Sequence, residues 1–450
     1  MSKLTVPPNV IGTPGADLVQ GVSASSPSPF AVLIGIDIGG GVIDTREGDD
    51  TITGTSKGGN ARGISNSGAV IAGTGNDTIT GTGEGEFVYR VQLPGIGILN
   101  SGTIIAGTGN DTITGIGKGG GARGISNSGW ISGEADNDTI AGIAKGGGAG
   151  GEATGISNSG GIGGGTGTDS ITGTGTGELN IYGTGGDGTG ISNTGTGWMG
   201  GEEGNDLIIG TGTGNRGGVY IGPGTAKGGN GIGISNSSTI NAGTGDDLLT
   251  GIGQGGLGSL SEGGNAVGIS NSSYMSGDSG NDTITGIGLG GRGDSAPDGR
   301  GVGIFNTGRL DAGNDKDQIL GYGTTVGIEG NGVQSIGIDG GNDNDYFKAR
   351  KVNGFDPQNN LIESANQDGA IANIFISAGN GNDIFDVGFG SAKLDGGEGY
   401  DTLILPTLGS GTYTIGSQNA GLFEITNTAS LNVLSVSNIE HIISDGVTLV

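Results

Sequence analysis

The sequence predicts an all-β fold, a right-handed parallel β-helix or β-roll solenoid with a C-terminal β cap. Three observations along its 450 residues support this prediction. A nine-residue segment, AGTGNDTIT at 72–80, recurs along most of the chain, and an apolar residue stands two places after its Asp. A GISNSG-like phrase follows, and then one further apolar position. Three inward apolar positions per repeat suit three short strands per coil, because side chains alternate between the two faces of a strand.

The first strand of each coil follows the repeated Asp, and its inward position is apolar in every repeat. The repeated aspartates are Asp17, Asp50, Asp77, Asp111, Asp138, Asp169, Asp206, Asp247, Asp282, Asp317, Asp345, Asp383 and Asp401. The residues two places later are Val19, Ile52, Ile79, Ile113, Ile140, Ile171, Ile208, Leu249, Ile284, Ile319, Phe347, Phe385 and Leu403. A random Gly-rich chain would not keep the second set free of polar residues, so this position is predicted to line the core.

The second and third strands have inward positions of their own, and the second also carries a polar column. The middle apolar residue recurs from Ile36 to Ile304, and the third recurs from Ile43 to Ile376. An Asn stands two places after the middle residue, at Asn66, Asn100, Asn127, Asn158, Asn193, Asn236, Asn271 and Asn306. Stacked Asn side chains can hydrogen-bond from coil to coil, so the sequence predicts an Asn ladder. A sugar- or metal-binding Asn row is the alternative.

The composition argues against several classes of protein. The chain has 112 Gly and only 31% hydrophobic residues, a balance that stacked coils with one shared core can accommodate. Its net charge of −27 argues against a nucleic-acid partner, because little could neutralise the phosphates. There is no Cys and a single His, His441, so neither a His/Cys zinc site nor a Cys–His nucleophile pair is expected. No transmembrane span and no signal-peptide h-region is expected either.

The nine-residue segment resembles the calcium-binding nonapeptide G-G-x-G-x-D-x-U-x of RTX (hemolysin-type) repeat proteins. In 72–80 only Ala72, at the first position, departs from that pattern. The resemblance implies Ca²⁺ as the cofactor, held between neighbouring turns by Asp carboxylates and loop carbonyls. The predicted metal ligands are Asp77, Asp111, Asp169, Asp247, Asp282, Asp383 and Asp401. An Asp that only forms the turn, with no ion, is the alternative.

The predicted calcium sites differ in whether glycine stands two and four residues before the Asp. Both are present before every predicted ligand except Asp282, which follows Gly280 but has Asp278 in the other place. Glycine matters there because it takes positive φ without strain. One or both glycines are missing before Asp50, Asp138, Asp206, Asp317 and Asp345. Calcium sites at these turns, and at Asp282, are therefore predicted less firmly.

The sequence divides into five predicted ranges. Residues 1–34 are a leader and first turn, 35–345 the β-helix repeats, 346–377 an insertion, 378–405 β-roll-like calcium repeats, and 406–450 a C-terminal cap and secretion region. Asp383 and Asp401 lie 18 residues apart, which resembles one turn of the two-sided RTX β-roll. The tail resembles the region through which RTX proteins leave bacteria by type I secretion. The GISNSG phrase resembles bacterial surface β-helix proteins.

The expected function is that of a secreted bacterial calcium-binding repeat protein with a structural, surface or adhesion role, and not an enzyme. The expected partners are calcium ions, together with a cell-surface polysaccharide or further copies of the chain. Two alternatives stay open. Neighbouring carboxylates would suit a polysaccharide-acting hydrolase or lyase, although the acids here follow the repeat. Outward T-x-T pairs such as Thr78 and Thr80 would suit an ice-binding protein, although Leu207 and Ile209 interrupt that row.

Overall fold

The computed structural model of this chain describes residues 3–449 with gaps. The residues left out of the description are 7, 25–27, 29, 89, 90, 149, 181, 182, 219–225, 334, 336, 408–412, 417–421, 445 and 446. The predicted cap and secretion region, 406–450, therefore lies partly outside the described residues. In the described part of the chain, no helix has the length and apolarity that a membrane crossing requires.

Forty-five short strands make up the described secondary structure. In the first half they are β1 (Leu4–Val6), β2 (Val10–Ile11), β3 (Leu18–Ala24), β4 (Val32–Ile38), β5 (Val42–Asp44), β6 (Thr51–Lys57), β7 (Asn60–Asn66), β8 (Ala69–Thr74), β9 (Thr78–Glu84), β10 (Phe87–Val88), β11 (Val91–Gln92), β12 (Gly95–Asn100), β13 (Thr103–Thr108), β14 (Thr112–Gly119), β15 (Ala122–Asn127), β16 (Trp130–Ala135), β17 (Thr139–Gly146), β18 (Ala153–Asn158), β19 (Gly161–Thr166), β20 (Ser170–Thr176), β21 (Gly188–Asn193), β22 (Trp198–Glu203) and β23 (Leu207–Thr213). In the second half they are β24 (Gly231–Asn236), β25 (Thr239–Thr244), β26 (Leu248–Gln254), β27 (Ala266–Asn271), β28 (Tyr274–Ser279), β29 (Thr283–Leu289), β30 (Gly301–Asn306), β31 (Arg309–Asn314), β32 (Gln318–Gly323), β33 (Val326–Glu329), β34 (Ile338–Asn342), β35 (Tyr346–Phe355), β36 (Leu361–Glu363), β37 (Asp368–Asn380), β38 (Ile384–Val387), β39 (Phe389–Glu398), β40 (Thr402–Leu405), β41 (Tyr413–Ile415), β42 (Leu422–Asn427), β43 (Val433–Ser437), β44 (His441–Ser444) and β45 (Val447–Thr448).

These strands stack into long parallel ladders, as the fold prediction required. Each coil from β3 to β34 contributes one strand after the Asp turn, a middle strand that in most coils covers the GISNSG-like phrase, and one strand before the next turn. The first ladder runs β3-β6-β9-β14-β17-β20 and onward, in a sheet of its own. The other two ladders, for example β7-β12-β15 and β8-β13-β16, belong to a second large sheet. The pairing keeps equivalent residues in register, so that Ile79, Ile113 and Ile140 stack directly. The architecture is therefore the predicted parallel β-helix solenoid.

One hydrophobic cluster fills the interior of the solenoid from Val6 to Ile442. All thirteen apolar residues predicted to follow the repeated Asp belong to it, and Val19 is the most exposed of them at 8%. The middle and third inward positions are buried in the same cluster. The prediction of three inward positions per coil is confirmed, because the alternation of side chains along each strand decides which residues face the core.

The predicted Asn ladder is present and runs through eight coils. The Nδ2 of each Asn donates to the Oδ1 of the Asn in the next coil, from Asn66 through to Asn306, at 2.8–3.0 Å. These side chains are at most 2% exposed. Because every amide in the column both donates and accepts, the polar groups are satisfied inside the coil. The Asn row is thus part of the interior, away from any ligand in solvent.

Toward the C-terminus the coils change from three strands to two. β37 and β39 are long enough to span the second and third positions together, and they pair with each other from Asp368 to Asn380. β35, β38 and β40 continue the first ladder opposite them. Within the range predicted as an insertion, β35 pairs antiparallel with β36, and Val352 packs in a small cluster with Ile287 and Leu289 of β29.

A group of antiparallel strands closes the C-terminal end of the solenoid. β42 pairs with β41 and β43 in antiparallel fashion, and β43 also lies parallel to β39. β44 pairs with β40 on one side and with β45 on the other. Ile425, Leu434 and Ile442 of this group are fully buried in the common core. The predicted β cap therefore covers the last coil, whose strand edges would otherwise be open to pairing with another chain.

Candidate metal centre along the aspartate column

The turns before the first-ladder strands from β6 to β40 have a backbone with positive φ at two places. In the nonapeptide at 72–80 these are the second and fourth positions, Gly73 (φ 113°) and Gly75 (φ 129°). A Cβ on Gly73 would lie 1.6 Å from the carbonyl oxygen of Arg46 in the preceding coil, so the coils approach too closely for a side chain there. Glycine suits this turn on both grounds, since it has no Cβ to clash and takes positive φ without strain.

The turns that lack one or both glycines keep the same backbone. Seven non-Gly residues at these positions have φ between 69° and 87°: Arg46, Glu134, Asp136, Glu202, Asp278, Asp315 and Asp343. A non-Gly residue in this region costs on the order of 1–3 kcal/mol, and it persists only where the surrounding structure imposes the conformation. The ladder hydrogen bonds from neighbouring coils do so here. The missing glycines that weakened the predictions at Asp138, Asp206 and Asp282 therefore leave the turn geometry intact.

The repeated aspartates form one continuous column, and their side chains bind the backbone of the neighbouring coil. The Oδ1 of each Asp accepts the N–H of the repeated Asp in the preceding coil, at 2.6–2.9 Å, from Asp50 through to Asp401. At the end of the column, the N–H of Asp401 donates to Glu440 instead. The structure thus brings all seven predicted metal ligands into this column, together with Asp50, Asp138, Asp206, Asp317 and Asp345.

The second carboxylate oxygen in this column is the unusual feature of the site. Among the described residues, Oδ2 has no hydrogen-bond partner and is inaccessible to solvent at twelve aspartates. They are Asp50, Asp77, Asp111, Asp138, Asp169, Asp206, Asp247, Asp282, Asp317, Asp345, Asp383 and Asp401. Their side chains are at most 3% exposed. A buried carboxylate oxygen without a hydrogen-bond donor destabilises the folded state, so a proton or a cation at each of these atoms would stabilise it.

Burial raises the pKa of several of these carboxyls. Burial raises the pKa of Asp111 to about 7 and the pKa values of Asp138, Asp282 and Asp345 to about 8, and repulsion from neighbouring carboxylates adds to this effect. The hydrogen bond that each carboxylate accepts from a backbone N–H lowers the pKa and opposes the other two. The same burial raises the pKa of Asp383 to about 6. At neutral pH the column therefore holds a mixture of protons and charges.

A second column, which the sequence analysis missed, lies beside the first on the solvent side. The residue just before the repeated Asp is most often Asn or Asp, and its Oδ1 accepts the N–H of the equivalent residue in the next coil. Asp49, Asn76 and Asn110 form three successive steps of this kind, at 2.8–3.0 Å. The signal was present in the sequence as the pair N-D or D-D in most repeats.

No protein-family model matches the chain, and no curated protein matches it closely. The assignment of a function therefore depends on the geometry of the column and on the nonapeptide.

The donor set of the column fits a hard cation by chemistry, with one buried carboxylate oxygen per coil at a strand spacing of about 4.8 Å. The turn carbonyls are less available than the sequence suggested. The carbonyl oxygen of Arg46 accepts the N–H of Thr74, and that of Thr74 accepts the N–H of Gly48, both at 2.7 Å. In the described part of the chain, no three His, Cys, Asp or Glu side chains converge as a ready-made metal cage. An ion at the column would thus take one or two Oδ2 atoms and complete its shell with water or with carbonyls released from the ladder.

Proposed function

We propose that this chain is a calcium-stabilised repeat scaffold with a structural, surface or adhesion role, and that it is not an enzyme. The observation that supports the proposal is the row of twelve buried Oδ2 atoms without a hydrogen-bond partner among the described residues. A cation bound only by the stacked state would stabilise that state by mass action. The resemblance of the nonapeptide to RTX repeats implies that this cation is Ca²⁺.

Each column Asp has a divided role in this proposal. Its Oδ1 holds the backbone N–H of the preceding coil, which sets the distance between turns. Its Oδ2 remains as a hard oxygen that repels its neighbours when ionised. Calcium supplies the positive charge that offsets this repulsion when bound. Mg²⁺ suits the column less well, because it requires a tighter octahedron and gives up its water reluctantly.

The experiment is a calcium titration of the chelated full chain, followed by calorimetry and circular dichroism at pH 8. Ca²⁺ is expected to release heat on binding and to raise the melting temperature, and Mg²⁺ at the same concentration is expected to do much less. Asp111→Asn keeps the Oδ1 acceptor and removes the charge on Oδ2, so it should lower the number of ions bound. Asp294→Asn, at an exposed acid outside the column, is the matched control. No calcium uptake at millimolar concentration would leave a solenoid that needs no ion.

Export to the cell surface or the medium, through type I secretion, belongs to the same proposal. It is supported by the resemblance of the 406–450 region to the tails of RTX proteins. The full chain should appear in the medium of a bacterial host that carries a type I exporter and stay inside an otherwise identical host that lacks it. Equal amounts in the two media would remove this part of the proposal.

Ice binding is the second candidate, and one observation favours it. On the outward face of the first ladder, Thr51, Thr78 and Thr112 stack in register with Thr139, and the second row of Thr53, Thr80 and Thr114 lies beside them until Ala141. Seven of these eight positions are Thr, and they form a regular half-exposed array. Thr80→Lys would abolish thermal hysteresis if the array bound ice, whereas a wild-type protein without thermal hysteresis would exclude this candidate.

A further inference from the structure

The outward face of the third ladder carries an alternation with a period of two coils. β16 presents Trp130 and, four residues later, Glu134, and β22 and β28 repeat the arrangement with another aromatic and another acid. The intervening strands β19 and β25 have Gly or Thr in the aromatic place and Gly in the acidic place. The register pairs these places directly. We name this set the aromatic–acid row, which consists of Trp130, Glu134, Trp198, Glu202, Tyr274 and Asp278.

The two tryptophans of the row are the only ones in the chain, and they meet across the intervening coil. The rings of Trp130 and Trp198 stack with centroids 5.7 Å apart and planes 4° from parallel. The contact requires Gly161 between them, because a Cβ there would lie 2.1 Å from the Trp130 ring. Trp130 is still 40% exposed, so the pair is an aromatic platform at the surface.

The acids of the row occupy strained backbone positions. Glu134, Glu202 and Asp278 have φ of 87°, 83° and 85°. The strands between them have glycine at the same register position, Gly165 and Gly243, where positive φ is free of strain. Arg46, Asp136, Asp315 and Asp343 share this strain, so what distinguishes the row is that each of its acids stands on the same strand as an aromatic ring.

Polar groups line the surface between the rings. The carboxylate of Glu202 lies over Gly163, next to the Trp198 ring. A Cβ added to Gly163 would be 2.2 Å from Oε1 of Glu202 and 3.3 Å from the Trp198 ring. The Nδ2 of Asn241 donates to Asp278 at 3.3 Å. The Oδ1 of Asn241 is buried without a partner among the described residues. The row therefore offers carboxylate and amide acceptors beside apolar rings.

We infer that the aromatic–acid row binds an extended, neutral polysaccharide that runs along the solenoid axis. A pyranose has an apolar C–H face that packs on an aromatic ring and hydroxyl groups that donate to carboxylates. The stacked rings of Trp130 and Trp198 form one apolar platform, and Tyr274 lies two coils further along the axis, so successive sugars of one chain would meet first the platform and then Tyr274. The carboxylates on this face and the net charge of −27 disfavour an anionic glycan. This inference rests on the proposed adhesion role and does not require calcium.

The test is calorimetric titration of the full chain with soluble neutral hexasaccharides of β-1,4-linked glucose, mannose and N-acetylglucosamine, with an oligogalacturonate as the anionic probe. At least one neutral probe should bind, and the oligogalacturonate should not. Trp198→Ala should weaken binding by about tenfold or more, since a stacked ring is lost. Phe87→Ala, at an exposed aromatic outside the row, is the control and should leave binding unchanged.

Glu202→Gly separates a binding role from a structural one. Glycine relieves the strain at this position, so the melting temperature should rise while affinity for the neutral probe falls. Glu203→Gln, at the exposed neighbouring acid, should change neither. Affinity that survives both Trp198→Ala and Glu202→Gly would overturn the inference.

The remaining outcomes are equally decisive. No binding of any neutral probe at millimolar concentration, or equal binding of oligogalacturonate, would overturn the inference. The inference would also be overturned if sedimentation showed that Trp198→Ala only abolishes association between copies of the chain. Each titration is run with calcium and with chelator at a temperature where both forms are folded. Glycan binding that persists in chelator while calcium uptake is absent would refute the calcium proposal alone.

Discussion

The three-strand coils and the two-strand coils of the same solenoid are held together differently. From Asn66 to Asn306 each coil has an isoleucine-lined core and a rung of the buried Asn ladder. In the last coils, β35 to β40, the Asn ladder has ended and the core includes the stacked rings of Phe347 and Phe385, with centroids 5.0 Å apart. The Asp column runs without a break through both regions.

This difference teaches that the Asp column is the common feature and the Asn ladder a regional addition. Where the Asp column and the Asn ladder are both present, two sets of buried side-chain hydrogen bonds fix the register of neighbouring coils. Where the Asn ladder is absent, the Asp column is the remaining buried polar ladder. The last coils should therefore depend more on the charge state of the column, whether a proton or a cation sets it. The predictions below test that contrast, from the largest expected effect to the smallest.

Ile113→Asp should have the largest effect, because it places an unpaired charge in the core of a three-strand coil. We expect a loss of more than about 4 kcal/mol in the free energy of unfolding, since neither neighbouring coil offers a partner. Thermal melts followed by circular dichroism would measure it. Thr112→Asp, at the half-exposed neighbour, is the control. A melting temperature within a degree or two of wild type would contradict the inward assignment.

The stability of the chelated protein should fall as the pH rises from about 4 to about 8. Burial raises the pKa of Asp138 and Asp345 from 3.8 to about 8, so these carboxyls bind protons more tightly folded than unfolded. Their stabilising contribution is complete below about pH 4 and is lost as the pH passes through the raised values. Melting temperatures at pH 4.5, 6 and 8 should decrease by several degrees in that order.

The control variants assign this pH dependence to the column. Asp138→Asn should reduce the slope of the pH profile by the contribution of one carboxyl, and the exposed Asp294→Asn should leave the slope unchanged. Hydrogen exchange should show the strands around Asp383 and Asp401 opening before those of the Asn-ladder coils as the pH rises. A melting temperature that increases with pH in chelator would refute the assignment.

Asn127→Ala should cost roughly 1–3 kcal/mol, because its partners Asn100 and Asn158 each lose a buried hydrogen bond. The comparison is Asn76→Ala, at an exposed residue of the outer column, which should cost clearly less. Chemical denaturation of the two variants measures the difference. Equal losses would show that burial of the Asn ladder adds nothing to its stabilising effect.

Arg46→Gly should have the smallest effect, and it should be stabilising. Arg46 has φ of 74°, a conformation that costs a side chain about 1 kcal/mol or more and costs glycine nothing. Glu47→Gly, at the next residue, where φ is not positive, should instead lose a few tenths to 1 kcal/mol. Denaturation midpoints of the two variants would check the signs, and destabilisation by Arg46→Gly would show that its side chain contributes more than its strain costs.

Sequence alone predicted the repeating part of this structure and little of its surface chemistry. The inward places of Ile79 and Ile113 and the Asn ladder followed from periodicity, because the alternation along a strand is a local property. The metal ligands were predicted to lie between neighbouring turns, at sites of unequal quality. The structure instead joins them in one column, since the carboxylate of Asp111 reaches the backbone of the coil before it and not its own turn.

What the sequence determined by itself is the fold class, the three inward positions and the position of the Asp in each turn. The tertiary structure decided which carboxylate oxygen is left buried without a partner, and which surface residues become neighbours. Trp130 and Trp198 lie far apart in the chain, and the loops between repeats vary in length, with successive Asp residues 18 to 41 apart. Only the hydrogen-bonded register of the stacked strands brings these rings together. That register depends on contacts between coils, which a single repeat does not contain.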